Sequence, residues 1–323
     1  TNPRHMINHP FREKILSGVE LAHTIQVLLK EKVLFLRNKY SYLSPPKLKV
    51  IQIGNRSDST LYIKNKLQLC KTIGIEGELK IFDEDVCKDK LLDEINRSNY
   101  DDSIHGIIIQ LPLPNHLEKT EIVSRIDLRK DVDGLHPTNL GHLLQVDIDK
   151  VLVSPTTMGV VELLRLGLDY ENHLDKYKSE FLKNNIFKNK LVNLSGKNVT
   201  VLGRGLTAGL PIFLLMQKCN GTVTLCHSKT DNLNDKCLNA DIIISAVGKR
   251  ELITHDMIKR DSILVDVGIN VLEKGICGDI DFDNVIEKSK YITPVPGGVG
   301  KMTVVMLLRN VIMSWGSMNM IDI

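Results

Sequence analysis

Apolar residues recur along the chain in two alternating rhythms. Short runs of Val, Ile and Leu bounded by Gly, Pro or polar turns predict strands. These fall at Leu48–Gly54, Gly77–Phe82, His105–Leu111, Lys197–Leu202, Thr222–Cys226, Asp241–Ala246 and Ser262–Val267. Between them, apolar positions three and four apart predict helices. The longest is Ile15–Tyr40, with Leu21, Ile25, Leu28 and Leu29 on one stripe; others are expected at Ser59–Ile73, Cys87–Arg97, Leu117–Arg125, Thr157–Leu166, Ala208–Cys219 and Thr303–Trp315. Ser59 is placed to cap its helix. Pro112 and Pro114 stop the strand before them, because proline has no N–H for the ladder. Glu171–Lys190 is polar, rich in Lys and Asn, and reads as an exposed insertion. Strands and helices that alternate in this way imply an α/β fold with mostly parallel sheets.

A length of 323 residues, at roughly 150 per domain, implies two domains, and the two lobes meet near residue 155. Hydrophobic residues make up 42% and charged residues 25%, which excludes a disordered or collagen-like chain. A net charge of +3 is too balanced for an obligate nucleic-acid binder. The longest apolar pattern, Val304–Trp315, is interrupted by Arg309 and Asn310, far short of a membrane span. Neither nucleic acid nor membrane is expected as a partner. The six cysteines form no C-x-x-C pair, so reduced thiols in a reducing compartment are expected. The ten histidines lack paired-ligand spacing, and no metal site is expected. The N-terminus has no secretory pattern, and Thr1–Pro10 reads as a frayed leader or an appended remnant. A cytoplasmic protein is the expectation, with an organellar leader removed before residue 1 left open.

Candidate chemistry concentrates in a few loops. Gly203, Gly205 and Gly209 form a G-x-G-x-x-x-G turn between a strand and a helix. There glycines let backbone approach a pyrophosphate at the helix start, although plain turns also carry glycines. The following strand ends in Cys226-His227-Ser228-Lys229-Thr230, where an NAD-binding unit would place Asp or Glu. Hydroxyls and a cation there, with Arg204 in the glycine turn, suit a 2′-phosphate and favour NADP; a solvated loop would tolerate the same residues. Tyr62 and Lys66 share a helix face at i, i+4, a spacing that most often holds a packed tyrosine and a solvated lysine. Gln110 ends an apolar strand, where α/β sheets build sites. Asp133 sits in D-V-D-G, which is also an ordinary tight turn. Thr293-Pro294-Val295-Pro296-Gly297-Gly298-Val299-Gly300 makes a shaped loop whose backbone can approach a planar ligand.

From Leu48 to Asn310 these segments, in order, resemble the bifunctional methylenetetrahydrofolate dehydrogenase/cyclohydrolase family. The resemblance is carried by S-T-L-Y-I-K-N-K at Ser59–Lys66, G-I-I-I-Q-L-P-L-P at Gly106–Pro114, D-V-D-G at Asp131–Gly134, C-H-S-K-T at Cys226–Thr230, A-D-I-I-I-S-A-V-G at Ala240–Gly248 and T-P-V-P-G-G-V-G at Thr293–Gly300. It implies two lobes around a cleft, the second a Rossmann-type NADP-binding domain. It also implies a final helix that returns to the first lobe: residues 1–153 with about 303–323 would form the folate-binding catalytic domain, and 154–302 the cofactor domain. Lys66 would be the central catalytic residue, held by Tyr62 and Gln110. Tyr62 would stack on the aminobenzoyl ring and Asp133 would bond the pterin. NADP would lie along Gly203, Arg204, Gly205 and Gly209 and the His227, Ser228, Thr230 turn, with Arg204 and Ser228 near the 2′-phosphate. Gly297 and Gly298 would close the site, and a homodimer would form through the second lobe. The chain departs from the family pattern at Gly205, at Thr207-Ala208, within Ser154–Gly159 and at Lys301, where the pattern has proline. Alternatives are a dehydrogenase with little cyclohydrolase activity and a non-catalytic folate- or nucleotide-binding relative. A shikimate- or malic-type dehydrogenase is disfavoured by Tyr62–Lys66 and D-V-D-G in the first lobe.

Overall fold

The structure is a computed structural model that describes residues 9–145, 148, 151–183, 190–273, 275–321 and 323. The chain divides into two compact units. One takes residues 25–155 and 304–323, the other 156–303 together with the chain before Ile25.

Helix α1 (Gly18–Lys39) starts in the unit that holds the chain before Ile25. From Ile25 onward the first unit runs through the rest of α1, β1 (Lys47–Ile53), α2 (Ser57–Ile73), β2 (Glu76–Phe82), α3 (Lys88–Tyr100), β3 (Gly106–Ile109), α4 (Lys119–Val123) and α5 (Pro137–Gln145). The strands form a parallel sheet in the order β2-β1-β3, with Val50 opposite Leu79 on one side and Ile108 on the other. Central β1 is buried along nearly its whole length, as a parallel strand covered on both faces must be. Helix α2 starts at Ser57, with Arg56 at the N-cap position and no side-chain cap bond, so Ser59 lies inside the first turn. Helix α5 has no counterpart in the expected elements; Pro137 opens it, with φ already suited to a first helical residue.

The second unit contains α6 (Pro155–Leu168), α7 (Leu174–Lys183), β4 (Asn198–Leu202), α8 (Gly209–Lys218), β5 (Thr222–Cys226), α9 (Leu233–Leu238), β6 (Ile242–Ser245), β7 (Ile263–Asp266), the antiparallel hairpin β8 (Asn270–Val271) and β9 (Ile276–Cys277), α10 (Phe282–Val285) and β10 (Tyr291–Ile292). Its main sheet is parallel in the order β10-β7-β6-β4-β5. The residues before α1 group here rather than with the first lobe, because Ile15 bridges Ile292 and Leu16 N–H donates to the Ile292 carbonyl at 2.8 Å. Part of the expected insertion is packed. Tyr177 of α7 is 1% exposed and its hydroxyl donates to Glu162 Oε2 at 2.9 Å, beside Arg165 on the same oxygen at 2.8 Å. The sequence of α7 does place Leu174, Tyr177 and Phe181 at i, i+3, i+7, a short apolar stripe inside a segment that is otherwise polar, and the polar partner of Tyr177 comes from α6. Residues 184–189 of the insertion lie outside the described residues.

The last helix, α11 (Val299–Met318), carries residues 304–323 into the first unit. There Trp315, fully buried, donates Nε1–H to the Ser44 carbonyl at 3.0 Å, and Ser314 Oγ donates to the Arg129 carbonyl at 2.6 Å.

Candidate active site

Gln110 follows β3, and its backbone N–H still donates to the Ile51 carbonyl at 2.8 Å. Its side-chain Nε2 donates to the Leu111 carbonyl at 2.9 Å. A carbonyl only accepts, so this bond fixes the amide orientation and turns Oε1 towards Lys66, whose Nζ donates to it at 3.3 Å. Tyr62, one helical turn before Lys66 on α2, places its ring centroid 4.4 Å from the same Nζ. Lys66 is 6% exposed, and among the described residues no carboxylate pairs with it directly. Burial lowers its pKa, opposed by attraction from Asp133. Burial, then Asp133, pushes the Tyr62 phenol up to about 12, so it stays neutral at ordinary pH. The thiol of Cys70, one turn further on, is likewise pushed up to about 12 by burial.

Asp133 is brought near this lysine by a loop with divided labour. Asp131 is buried; its Oδ2 accepts from His136 N–H at 2.9 Å and Asn139 Nδ2 at 2.7 Å, and its Oδ1 accepts from Leu135 N–H at 3.3 Å. Asp131 therefore forms the turn, and the Asp133 carboxylate keeps no hydrogen-bond partner among the described residues. Burial raises the Asp133 pKa, opposed by Lys66 and Lys119. Gly134 adopts φ +63°, and a Cβ there would press on Ser154 N at 2.5 Å and the Leu152 carbonyl at 2.8 Å. Buried Asn310 of α11 spans these two backbone segments, its Nδ2 donating to the Val132 carbonyl at 2.9 Å and the Val153 carbonyl at 2.8 Å.

In the second unit, Gly203 ends β4 with φ +102°, and a Cβ there would collide with the Ala246 carbonyl. A Cβ on Gly209 would collide with the Gly203 carbonyl, whereas one on Gly205 would meet nothing within 4 Å. The turn thus folds tightly on itself and leaves open space beside Gly205, the cradle an approaching pyrophosphate needs. Gly203 N–H donates to the Cys226 carbonyl at 2.9 Å, which places exposed Arg204 beside the end of β5. In that turn, Thr230 Oγ1 accepts from His227 N–H at 2.9 Å, and His227 Nδ1 accepts from Lys229 N–H at 3.2 Å. Thr230 and His227 thus shape the turn, while Ser228 and Lys229 stay exposed. Gly297, at φ +111°, accepts from Val19 N–H at 3.1 Å, and a Cβ on Gly18 would collide with the Gly298 carbonyl. The Gly297-Gly298 loop is therefore packed backbone to backbone against the start of α1.

Comparison with known proteins decides what this arrangement is. Residues 16–133 match the catalytic domain, and residues 183–319 the NAD(P)-binding domain, of tetrahydrofolate dehydrogenase/cyclohydrolase. The Bifunctional protein FolD of Bacillus anthracis is 41% identical over 301 residues, 93% of this chain and 96% of that one. The chain belongs to the tetrahydrofolate dehydrogenase/cyclohydrolase family. Among solved structures of that family, FolD from Campylobacter jejuni is 38% identical with a TM-score of 0.83, covering 94% of this chain and 98% of its own. The Trypanosoma brucei FolD, solved with NADP cofactor and inhibitor, is 33% identical with a TM-score of 0.82, covering 94% and 97%. As a family member the chain is an enzyme of tetrahydrofolate chemistry with a catalytic domain and a NAD(P)-binding domain.

Some participants escaped the sequence reading. Lys119 is half-buried at the start of α4; burial lowers its pKa and attraction from Asp133 opposes this. Gln52 of β1 is 1% exposed and donates Nε2–H to Thr60 Oγ1 at 3.3 Å, with its Oε1 unpartnered among the described residues. Asn310 did leave a signal, as a polar break in the longest apolar helix pattern.

Proposed function

We propose that the protein oxidises 5,10-methylenetetrahydrofolate to the methenyl cation with NADP and then hydrolyses that cation to 10-formyltetrahydrofolate. One observation carries the reading: a buried lysine amine, hydrogen-bonded to an oriented glutamine and set against a tyrosine ring, shares a unit with a carboxylate that has no hydrogen-bond partner among the described residues. Asp133 suits the amino group and ring N–H of a pterin, which a carboxylate receives as a paired contact. The Tyr62 face suits the aminobenzoyl ring. Bound NADP supplies the hydride acceptor. Arg204, Ser228 and Lys229 suit its 2′-phosphate, and the turn 227–230 carries no carboxylate to repel it.

The lysine's work lies in the hydrolytic half. Burial favours the neutral amine, and Gln110 Oε1 holds it by accepting one of its hydrogens. As water attacks the methenyl carbon, Lys66 takes a proton from the water. The carbon–N5 bond then breaks and N5 is protonated, leaving the formyl group on N10 and releasing one net proton. Hydride removal needs alignment more than proton transfer, so Tyr62 and Asp133 serve it by fixing the folate.

Family resemblance further supports a homodimer through the five-stranded unit. The six cysteines are free thiols, and among the described residues no helix is long and apolar enough to cross a membrane, which suits a reducing aqueous compartment. The test is a parallel absorbance assay with methylenetetrahydrofolate and either NADP or NAD, followed by decay of methenyltetrahydrofolate supplied without nucleotide. Turnover with NADP and accelerated methenyl decay are expected. Loss of either activity in the purified protein removes that half of the proposal.

A further inference from the structure

Two buried aspartates of the five-stranded unit take no part in the chemistry above. Asp279, fully buried after β9, accepts five hydrogen bonds. Its Oδ2 receives Ser245 Oγ at 2.9 Å, Val247 N–H at 2.8 Å and Gly248 N–H at 3.1 Å. Its Oδ1 receives Lys249 N–H at 2.9 Å and Asn270 Nδ2 at 3.0 Å. Asp266, at the end of β7, holds the backbone that presents Asp279. Its Oδ1 accepts from Gly268 N–H and Asp279 N–H, both at 3.0 Å, and its Oδ2 from Ile280 N–H at 2.8 Å. The arrangement is built in at two further positions: a Cβ on Gly268 would collide with the Asp279 carboxylate, and one on Gly278 with that of Asp266.

The loop that Asp279 gathers occupies a particular place in the sheet. Strand β4 lies between β5 and β6, so the chain reverses its direction of travel across the sheet at the β4/β6 boundary. Open α/β sheets bind ligands beyond the carboxyl ends of their strands at that boundary. Residues Ala246–Lys249 follow β6 there, and the Ala246 carbonyl abuts Gly203 of the glycine turn. Three successive N–H groups of this loop are committed to one carboxylate. What the loop retains for a ligand is carbonyl acceptors, which suit the hydroxyl and amide donors of a dinucleotide and not its phosphates.

We propose that Asp279 is a positioning residue for the dinucleotide, acting through the Val247–Lys249 loop. The proposal rests on the reading that this unit binds NADP. Asp279→Asn keeps the shape but offers one acceptor oxygen, so in either orientation its NH2 confronts at least two of the present donors. The KM for NADP rises tenfold or more in the dehydrogenase reaction, and direct binding of NADPH, followed by its fluorescence, weakens by the same factor. The kcat at saturating NADP changes by less than threefold. Hydrolysis of methenyltetrahydrofolate without nucleotide, which draws on the other unit, stays within twofold. Asn270→Ala loosens the same carboxylate by removing one donor and raises the NADP KM by a few fold, and it decides the matter if Asp279→Asn is insoluble. An unchanged NADP KM in the soluble variants, or a parallel fall of both activities, overturns the proposal. Failure of the unaltered protein to bind either NADP or NAD instead overturns the reading on which it rests.

Discussion

Replacing Lys66 by Met separates the chemistry of the amine from the packing of its stem. The two side chains are of similar length, and at 6% exposure the position accepts an apolar group. What the protein loses is the amine's contact with the Tyr62 ring, which a thioether largely replaces, and one hydrogen bond to Gln110 at 3.3 Å, which half-buried Gln110 can replace with water. Such a bond contributes about 1 kcal/mol net. Against this stands the cost of holding an ammonium out of water with no directly paired carboxylate among the described residues. We expect Lys66→Met to be as stable as the unaltered protein or more so. The sign of the pH dependence follows from the lowered lysine pKa. Between that lowered value and 10.5 the unfolded chain binds the extra proton and the folded one does not, so the lysine's cost grows as pH falls through the window. The stability advantage of Lys66→Met is therefore larger at pH 6 than at pH 9. Activity moves the other way. General acid–base help contributes about 10²- to 10⁴-fold, so cyclohydrolase turnover drops by that factor, about 3–5 kcal/mol of barrier, while the dehydrogenase falls less. Stopped-flow decay of methenyltetrahydrofolate and thermal unfolding at the two pH values read both effects. Full cyclohydrolase activity in Lys66→Met, or a collapse of Tm together with both activities, refutes the assignment.

The other site residues give further expectations. Asp133→Asn raises the folate KM of both reactions by ten- to a hundredfold and leaves Tm unchanged or higher, because burial of the carboxylate outweighs its attraction to Lys66 and Lys119 and it gives up no hydrogen bond among the described residues; an unchanged folate KM counts against pterin binding there. Asn310→Ala leaves the Val132 and Val153 carbonyls without their buried donor, lowering stability by about 2–3 kcal/mol for two such bonds and raising the folate KM, as denaturant titration and steady-state kinetics would show. Ser228→Asp sets a carboxylate where the 2′-phosphate is expected and shifts the NADP-to-NAD preference by a hundredfold or more; an unmoved ratio places that phosphate elsewhere. Tyr177→Phe removes a buried hydroxyl donor to Glu162 and costs about 1–2 kcal/mol, with both activities intact in the same assays.

Local pattern alone was enough to announce the strands that pass through the centre of each sheet. A parallel strand covered on both faces is mostly apolar: β6, β7 and the edge strand β3 each carry an unbroken three-residue apolar run, whereas β1 is interrupted by Lys49 and Gln52 and β4 by Thr200. Two glycines of the turn were legible for a related reason: Gly203 takes a positive φ, and a Cβ on Gly203 or Gly209 would collide with a backbone carbonyl, whereas Gly205 has room for a side chain. The short pieces were not legible: α5, α9 and α10, the β8–β9 hairpin and β10 are too brief to show a period.

The site divides in the same manner. Tyr62 and Lys66 stand on one helical turn, so their proximity is a property of the sequence, and the order of motifs identified the family. That the lysine is buried is a different kind of fact. It depends on Gln110, 44 positions away, and on Asp133, carried in by a loop that Asn310 holds from 178 positions further along the chain. The same distinction separates the two aspartates of D-V-D-G: the motif names both, yet only the packed loop shows Asp131 satisfied by three donors and Asp133 left with none among the described residues. Sequence spacing governs neighbours within a turn or a strand. Desolvation and hydrogen-bond satisfaction depend on which distant segments close over a group, and folding alone supplies those.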